Sequence, residues 1–445
     1  MGPDRRTVDA GHRRRRGSRV PGRVPPDRPG RRHPARGTAG RGVRPAHVWA
    51  DDLTGAAEFA RLWQDWSGRD VRVRLGRPGP GTVGTVRTGD TDGANGTAGD
   101  VDTVWDLDLR HDADADVLHA MTALAAGVDP TATVFVKLDS RLRGPVRVYL
   151  DALLGSGRPV VLCPANPGLG RVTVDGWHVD GSTESVDLAR LGSGLPHRHL
   201  GRADYRRLPA LARADGPLLI TADVATPADL ERLALACVGI PHATFAGSAP
   251  FLAGLLRTPD PAAPGDGTAT HAVGTRAPAA VRTLLAVLGT TEPVSHAQFD
   301  ALEARHRAIR IAVPADGGGR DSAVHRARST LARGGHVALT LPTAAASAPR
   351  DRASMDSLAA ACAATLAGAA PDVALLLSGG HTARLVLDRL GLRDLRTLPS
   401  TVAAVARLCA PDGRTVWTKP GSYGEPRLLL DLLDLLGATS ARARS

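Results

Sequence analysis

Short apolar runs of strand length alternate with amphipathic, helix-length stretches along most of the chain. In the first half the strand-length runs fall at residues 47–49, 104–107, 134–136, 160–162 and 218–220, with helical patterns at 54–63, 115–126, 146–154 and 227–236. A second series places strands at 284–288, 308–313, 337–341, 373–377 and 415–418, and helices at 295–305, 321–333, 354–367 and 383–390. A leucine-rich stretch at 428–436 closes the pattern as a helix. Strands alternating with helices in this way predict parallel sheets covered by helices. Residues 255–280 are rich in Pro, Gly, Thr and Asp without periodicity and read as a linker. Residues 80–100 read as a loop between strands, and no internal repeat at a fixed period is visible. The expected fold class is therefore α/β: two domains, residues 45–254 and 281–445, each with a mainly parallel sheet flanked by helices.

Length and charge refine that picture. At 445 residues the chain can bury two separate cores. Its net charge of +11 suggests nucleic acid until the charge is located. Residues 1–44 hold 14 arginines against Asp4, Asp9 and Asp27, which is +11 by themselves; the rest carries 42 basic and 42 acidic groups. The folded part is neutral. The arginine-rich segment has no apolar periodicity and cannot build a core. It reads as a disordered extension, or as translated sequence upstream of the true start, in preference to a nucleic-acid arm. It has no apolar core of a secretory signal, and no run of about 18 apolar residues suggests a membrane span. Cys163, Cys237, Cys362 and Cys409 form no metal-type pair. Cys163 and Cys237 lie in apolar stretches as buried free thiols, which points to a reducing, cytoplasmic compartment.

The polar segments that follow the apolar runs carry the candidate chemistry, since ligands of open α/β sheets bind beyond the carboxyl ends of strands. Asp51 and Asp52 end one run and open a helix with Thr54 and Gly55. One aspartate suffices to cap a helix, so a pair favours work on substrate hydroxyls. A phosphatase-type aspartyl nucleophile would need a second Asp where Leu53 stands. Lys137, Asp139, Ser140, Arg141 and Arg143 crowd three cations and two oxygen-bearing groups into seven positions, suited to a carboxylate, with local ion pairs in a solvated loop as the plain alternative. Arg171 ends a Pro/Gly loop that begins at Pro164, a loop that serves equally as a connection. In the second half, Gly379, Gly380, His381 and Thr382 form a glycine turn into a helix, a phosphate-binding arrangement. It lacks the Lys-Ser/Thr ending of a P-loop, and Ser378 lacks a nucleophile-elbow frame. Gly289-Thr290 and Gly421 mark two more turns at strand ends. A polar acceptor site on one half and a phosphate site on the other suggest a kinase.

Seven motifs in order resemble the four-carbon acid sugar kinases, the threonate, erythronate and 3-oxo-tetronate kinases. They are ADDLTGA (50–56), KLDSRLRG (137–144), CPANPGLGR (163–171), FAGSAPFLA (245–253), GTTEPVSHAQ (289–298), SGGHTA (378–383) and KPGSYGE (419–425). The resemblance implies an N-terminal acid-sugar-binding domain, a C-terminal ATP-binding domain and an active site in the cleft between them. It also implies roles: Asp51 and Asp52 facing the substrate as catalytic groups, and Arg110, Lys137, Leu138, Asp139 and Ser140 on the sugar acid, to which the reading of the residues themselves adds Arg143 and Arg171. Gly289, Thr290, Gly379, Gly380, His381, Thr382 and Gly421 would contact ATP, with Mg²⁺ as cofactor through ligands the sequence leaves unassigned. The implied partners are a small sugar acid and ATP, a homodimer being left open and nucleic acid and membrane not expected. His381 stands where the family's GGET motif has Glu, and residues 177–196 match the family poorly. A binding protein of the same fold without transfer activity is the alternative.

Overall fold

Central strands in each half are buried along their whole length, as strands covered by helices on both faces must be. The computed structural model describes residue 43 and residues 45–78, 102–181, 185–213, 216–240, 242–258, 278–342, 352–400, 402 and 405–434. These belong to one compact unit, Gly40–Ser445. The arginine-rich segment before Val43 and the whole of the expected loop at 80–100 lie outside the described residues.

The first half contributes β1 (His47–Ala50), β2 (Val71–Leu75), β3 (Asp102–Asp106), β4 (Val134–Lys137), β5 (Val160–Cys163), β6 (Val172–Val174), β7 (Trp177–Val179), β8 (Ser185–Asp187), β9 (His197–Leu200), β10 (Leu219–Ala222) and β11 (Thr244–Gly247). The second contributes β12 (Thr283–Leu288), β13 (Ala308–Ala312), β14 (His336–Thr340), β15 (Val373–Ser378), β16 (Asp394–Leu398), β17 (Ala406–Cys409) and β18 (Thr415–Lys419). Fifteen of these strands form one sheet in the order β13-β14-β12-β15-β18-β17-β16-β2-β3-β1-β4-β11-β5-β10-β9. All pairs are parallel except β16–β17, β17–β18 and β16–β2. The α/β class with mainly parallel sheets holds. The two expected sheets join edge to edge through β2 and β16.

That joint explains why these two strands escape an apolar-run reading. Val71-Arg72-Val73-Arg74-Leu75 alternates, burying its apolar face while its arginines stay partly exposed. Arg72 and Arg74 reach Asp394 of β16 at 3.0 and 3.3 Å, and Val73 lies opposite Leu395. Beneath the joint runs the helix Leu53–Ser67, capped at its start by Asp52 and stopped by Gly68 in the left-handed region. Ala56, Ala57 and Ala60 on its buried face allow close approach to the sheet, and Gln64 Nε2 donates to Thr397 O of the other half at 2.9 Å.

The other helical patterns also form helices close to their expected ends, among them Asp114–Ala126, Val146–Gly155, Pro293–Glu303 and Gly380–Arg389. Residues 428–434 are helical. The non-periodic stretch 255–280 begins inside a helix, Ala249–Arg257, because Leu255 and Leu256 are core residues; residues 259–277 lie outside the described set. A small antiparallel sheet, β6-β7-β8, stands apart from the main one. The four cysteines are free and buried. No helix among the described residues is long and apolar enough to cross a membrane.

Candidate functional site

β1 ends at Ala50 between β3 and β4, so the chain leaving it enters a crevice walled by both neighbours. Asp51 and Asp52 there divide the work. Asp52 caps the next helix, its Oδ1 accepting Gly55 N–H at 2.8 Å and its Oδ2 accepting Thr54 Oγ1–H at 2.6 Å. Asp51 caps nothing. Its two oxygens take Arg110 Nε and Nη2, both at 2.9 Å, and Oδ2 also accepts Asp139 N–H at 3.2 Å. The third guanidinium nitrogen, Nη1, reaches Asp52 Oδ2 at 2.6 Å. One arginine thus bridges two buried carboxylates.

Their ionisation separates as a result. Burial raises Asp51, with Asp52 adding to the rise against the pull of Arg110. Burial acts on Asp52 too, but Arg110, Lys137, Thr54 and Gly55 together hold it below the usual carboxylate range. Two adjacent carboxyls pushed in opposite directions are a common arrangement for acid–base chemistry. Asp139 is buried as well, yet its hydrogen bonds to Arg143 and its proximity to Arg110 and Lys137 keep it strongly acidic.

The rest of the acceptor cluster gathers on the 137–144 loop. Lys137 ends β4, with its Nζ donating to Leu138 O at 3.0 Å and 3.9 Å from Glu58 Oε2. Arg143 is bonded to Asp139, and Arg171 Nη1 donates to Ser140 Oγ at 2.6 Å. Leu138 turns its side chain into the core and gives its N–H to Gly247 O. It therefore contributes by placing Lys137. The poorly matched segment at 177–196 supports this loop directly. His178, neutral in its buried setting, bonds Ser140 O through Nε2 at 2.7 Å, and Asp180 accepts from Arg141 at 2.5 Å.

In the second half the three glycine turns converge. A Cβ on Gly289 would collide with Thr382 Oγ1 and stand 2.9 Å from Met355 Cε, and one on Gly421 would stand 2.5 Å from Thr290 Oγ1. Gly379, with φ 97°, starts the helix Gly380–Arg389, whose N-terminus has no side-chain cap. The two clusters meet here. A Cβ on Gly380 would collide with Asp52 Oδ2 and stand 3.1 Å from Thr54 Oγ1. Gly380→Ala is accordingly expected to push the glycine turn away from the acid pair and to lower activity about 100-fold, the scale of a misplacement near 1 Å. The check is kcat together with the melting temperature, since a purely local clash should alter the first far more than the second. His381 is exposed and stands edge-on to His111, ring centroids 5.6 Å apart.

Two groups of this region went unassigned in the sequence. Arg384, one turn beyond Gly380, donates to Asp106 Oδ2 at 3.0 Å and to Asp388 Oδ2 at 2.7 Å. With Asp108 also near, one cation serves three carboxylates. Burial pushes Asp106 up to about 8 and Asp108 to about 6 despite it. Lys419, at the end of β18, is buried and donates to Ser295 Oγ at 2.9 Å and to the carbonyls of Pro420 and Tyr423 at 3.0 and 3.3 Å. Burial lowers it to about 8.

A compositional signal points to both lysines. Of the 56 Lys and Arg residues only Lys137 and Lys419 are lysine, and both end buried strands at the two clusters. Arginine cannot replace the compact ammonium inside such a cage. Lys419→Arg is expected to force the 419–424 turn open and to lower the melting temperature, which a thermal melt checks.

Against known proteins, a family model described as a sugar-binding N-terminal domain matches residues 46–190, and one described as a nucleotide-binding C-terminal domain matches residues 285–429. The chain belongs to the four-carbon acid sugar kinase family. Among solved structures, a Salmonella typhimurium LT2 protein carrying a provisional tRNA synthase label is similar at a TM-score of 0.63 and 17% identity, covering 86% of this chain and 97% of that one. A Haemophilus influenzae protein assigned to the DUF1537 family is similar at a TM-score of 0.59 and 17% identity, with the same coverage. Both likenesses concern the fold. No curated protein matches the chain significantly. In this acid sugar kinase family member, the acid pair and the 137–144 loop lie in the sugar-binding domain, and the three glycine turns in the nucleotide-binding one.

Proposed function

We propose that the protein is an ATP-dependent kinase, in a cytoplasmic setting, that phosphorylates a hydroxyl of a small sugar acid, with four-carbon acids such as threonate, erythronate and 3-oxo-tetronate as the substrate class. Its working parts are an acid-sugar-binding domain at 45–254 and an ATP-binding domain at 281–445. The observation that carries this reading is the contact of Gly380 with Asp52. An uncapped helix start, suited to phosphate, abuts a buried pair of carboxylates suited to a hydroxyl.

Phosphoryl transfer asks mainly for positioning and charge neutralisation. Lys137, Arg143 and Arg171 gather at the 137–144 loop and supply cations for the acid's carboxylate, beside Arg110 on the acid pair. Asp139 and Ser140 accept and donate to its hydroxyls. Asp51, the carboxyl raised by burial, takes the proton of the attacking hydroxyl as that oxygen bonds to the terminal phosphorus and the bond to the leaving diphosphate breaks. The turns at Gly289–Thr290, Gly379–Thr382 and Gly421 receive the nucleotide.

Among the described residues no group of three or more His, Cys, Asp or Glu is arranged to hold a metal. Magnesium on a bound nucleotide would be carried largely by phosphate oxygens, for which one or two carboxylates suffice. Asp52 faces Gly380, but its oxygens are already taken by Gly55, Thr54 and Arg110, so the supporting carboxylate stays unassigned. Magnesium on the phosphates would neutralise their charge.

The test is a coupled assay of ADP release over a panel of four-carbon sugar acids and related hydroxy acids. Release that depends on one of the acids supports the reading. Tight acid binding without acid-dependent release across the panel would defeat it.

A further inference from the structure

The helix Gly380–Arg389 touches the first half at successive levels. At its start Gly380 packs on the Asp52 carboxylate, and one turn later Arg384 Nη1 donates to Asp106 Oδ2 at 3.0 Å and to Asp106 O at 3.3 Å. Residues four apart lie on one helix face, so a single face makes both contacts. Arg384 is oriented from within its own helix as well, through Nε to Asp388.

Asp106 is the link. Fully buried at the end of β3, it lies opposite Ala50 in the β1–β3 register, just before the acid pair. Its other oxygen, Oδ1, accepts Asp108 N–H at 3.1 Å. Asp108 has a left-handed backbone, φ 53°, and the turn it makes delivers Arg110 to Asp51 and Asp52. One carboxylate therefore ties the helix that starts at the glycine turn to the turn that aims the arginine of the acid pair. Joining the halves does not require this, since β2–β16 pairing and the helix Leu53–Ser67 already do so.

We propose that Arg384 and Asp106 act as a positioning pair that fixes the phosphoryl donor at the Gly379–Thr382 turn relative to the acceptor hydroxyl at Asp51, so that the phosphoryl group passes to the acid rather than to water. The proposal rests on the kinase reading and adds residues that neither touch the substrate nor hold the nucleotide. Its consequence is specific. Loosening the pair leaves both ligands able to bind but misaligns them, and a misplacement near 1 Å lowers transfer about 100-fold. Water, which needs no such alignment, then takes a larger share of the phosphoryl groups.

The experiment compares the whole wild-type chain with Arg384→Met, Arg384→Lys, Asp106→Ala and the double variant Arg384→Met/Asp106→Ala. Three quantities are read: sugar-acid phosphate formed per ADP released, KM for the acid, and the dissociation constant of the β,γ-imido analogue of ATP. Thermal melts establish folding. The expected result is a product-to-ADP ratio well below that of wild type, a transfer kcat down about 100-fold, and nearly unchanged KM and analogue binding. Arg384→Lys, which keeps the charge but not the planar fork, should fall between. The double variant should lose little beyond the worse single one, as partners in one contact do. Folded variants that keep the wild-type ratio and kcat, or whose loss lies wholly in KM, would overturn the proposal while leaving the kinase reading intact. A wild-type chain without acid-dependent ADP release would remove the kinase reading, and this inference with it.

Discussion

Asp51→Asn is expected to abolish most phosphoryl transfer, lowering kcat by about 10²- to 10⁴-fold, the range of a lost general base. The substitution keeps the volume of a fully buried side chain and one acceptor for Arg110, so the analogue of ATP should still bind. Asp52→Asn provides the contrast. It removes part of a helix cap, worth about 1 kcal/mol, and should show in the melting temperature before it shows in proton transfer. The pH profile separates the two further. Asp51 is raised by burial and by Asp52, and a base works only when ionised. The rate should therefore fall on acidification at a pH above the ordinary aspartate value of about 4. In Asp51→Asn the residual rate should be flat across that limb. A near-normal kcat in Asp51→Asn with an inactive Asp52→Asn would move the base to Asp52.

Much of this site could be read in the sequence because its parts sit where α/β chains put ligands. Asp51, Lys137, Ser378 and Lys419 each directly follow or end an apolar strand. The buried runs at β1, β4, β12 and β15 announce themselves, since strands covered on both faces are apolar throughout. β2 and β16 do not. Their alternation spends every second position on Arg72, Arg74 or Arg396, so no run appears, and the edge-to-edge joint of the halves stays hidden. The same limit applies to charges. Asp106 and Arg384 are 278 positions apart, and nothing local to either says that one cation will serve three carboxylates. Asp52 shows a different limit. Its capping role and its contact with Gly380 are both real, whereas spacing alone sets capping against function as alternatives.

The largest effect on stability is expected from Arg110→Ala. Arg110 makes three hydrogen bonds to Asp51 and Asp52, and both carboxylates are buried. Removing it leaves two charges without their shared partner, a change that costs about 3–5 kcal/mol when a buried pair is broken from one side. The pH dependence carries a definite sign. With the cation present, Asp52 and Asp139 are depressed, and the stability they contribute is present above their unfolded values and lost as pH falls. Without it, the aspartates of the pair should be raised above their unfolded values. The variant is then favoured at low pH and loses stability as pH rises. The gap in melting temperature between wild type and Arg110→Ala should accordingly narrow from pH 7 to pH 5. Adding Asp51→Asn to Arg110→Ala should recover part of the loss at pH 7, because it removes one of the stranded charges, and the recovery measures the coupling. A gap that is constant with pH, or a double variant less stable than Arg110→Ala alone, would show that the arginine serves chiefly by packing its stem.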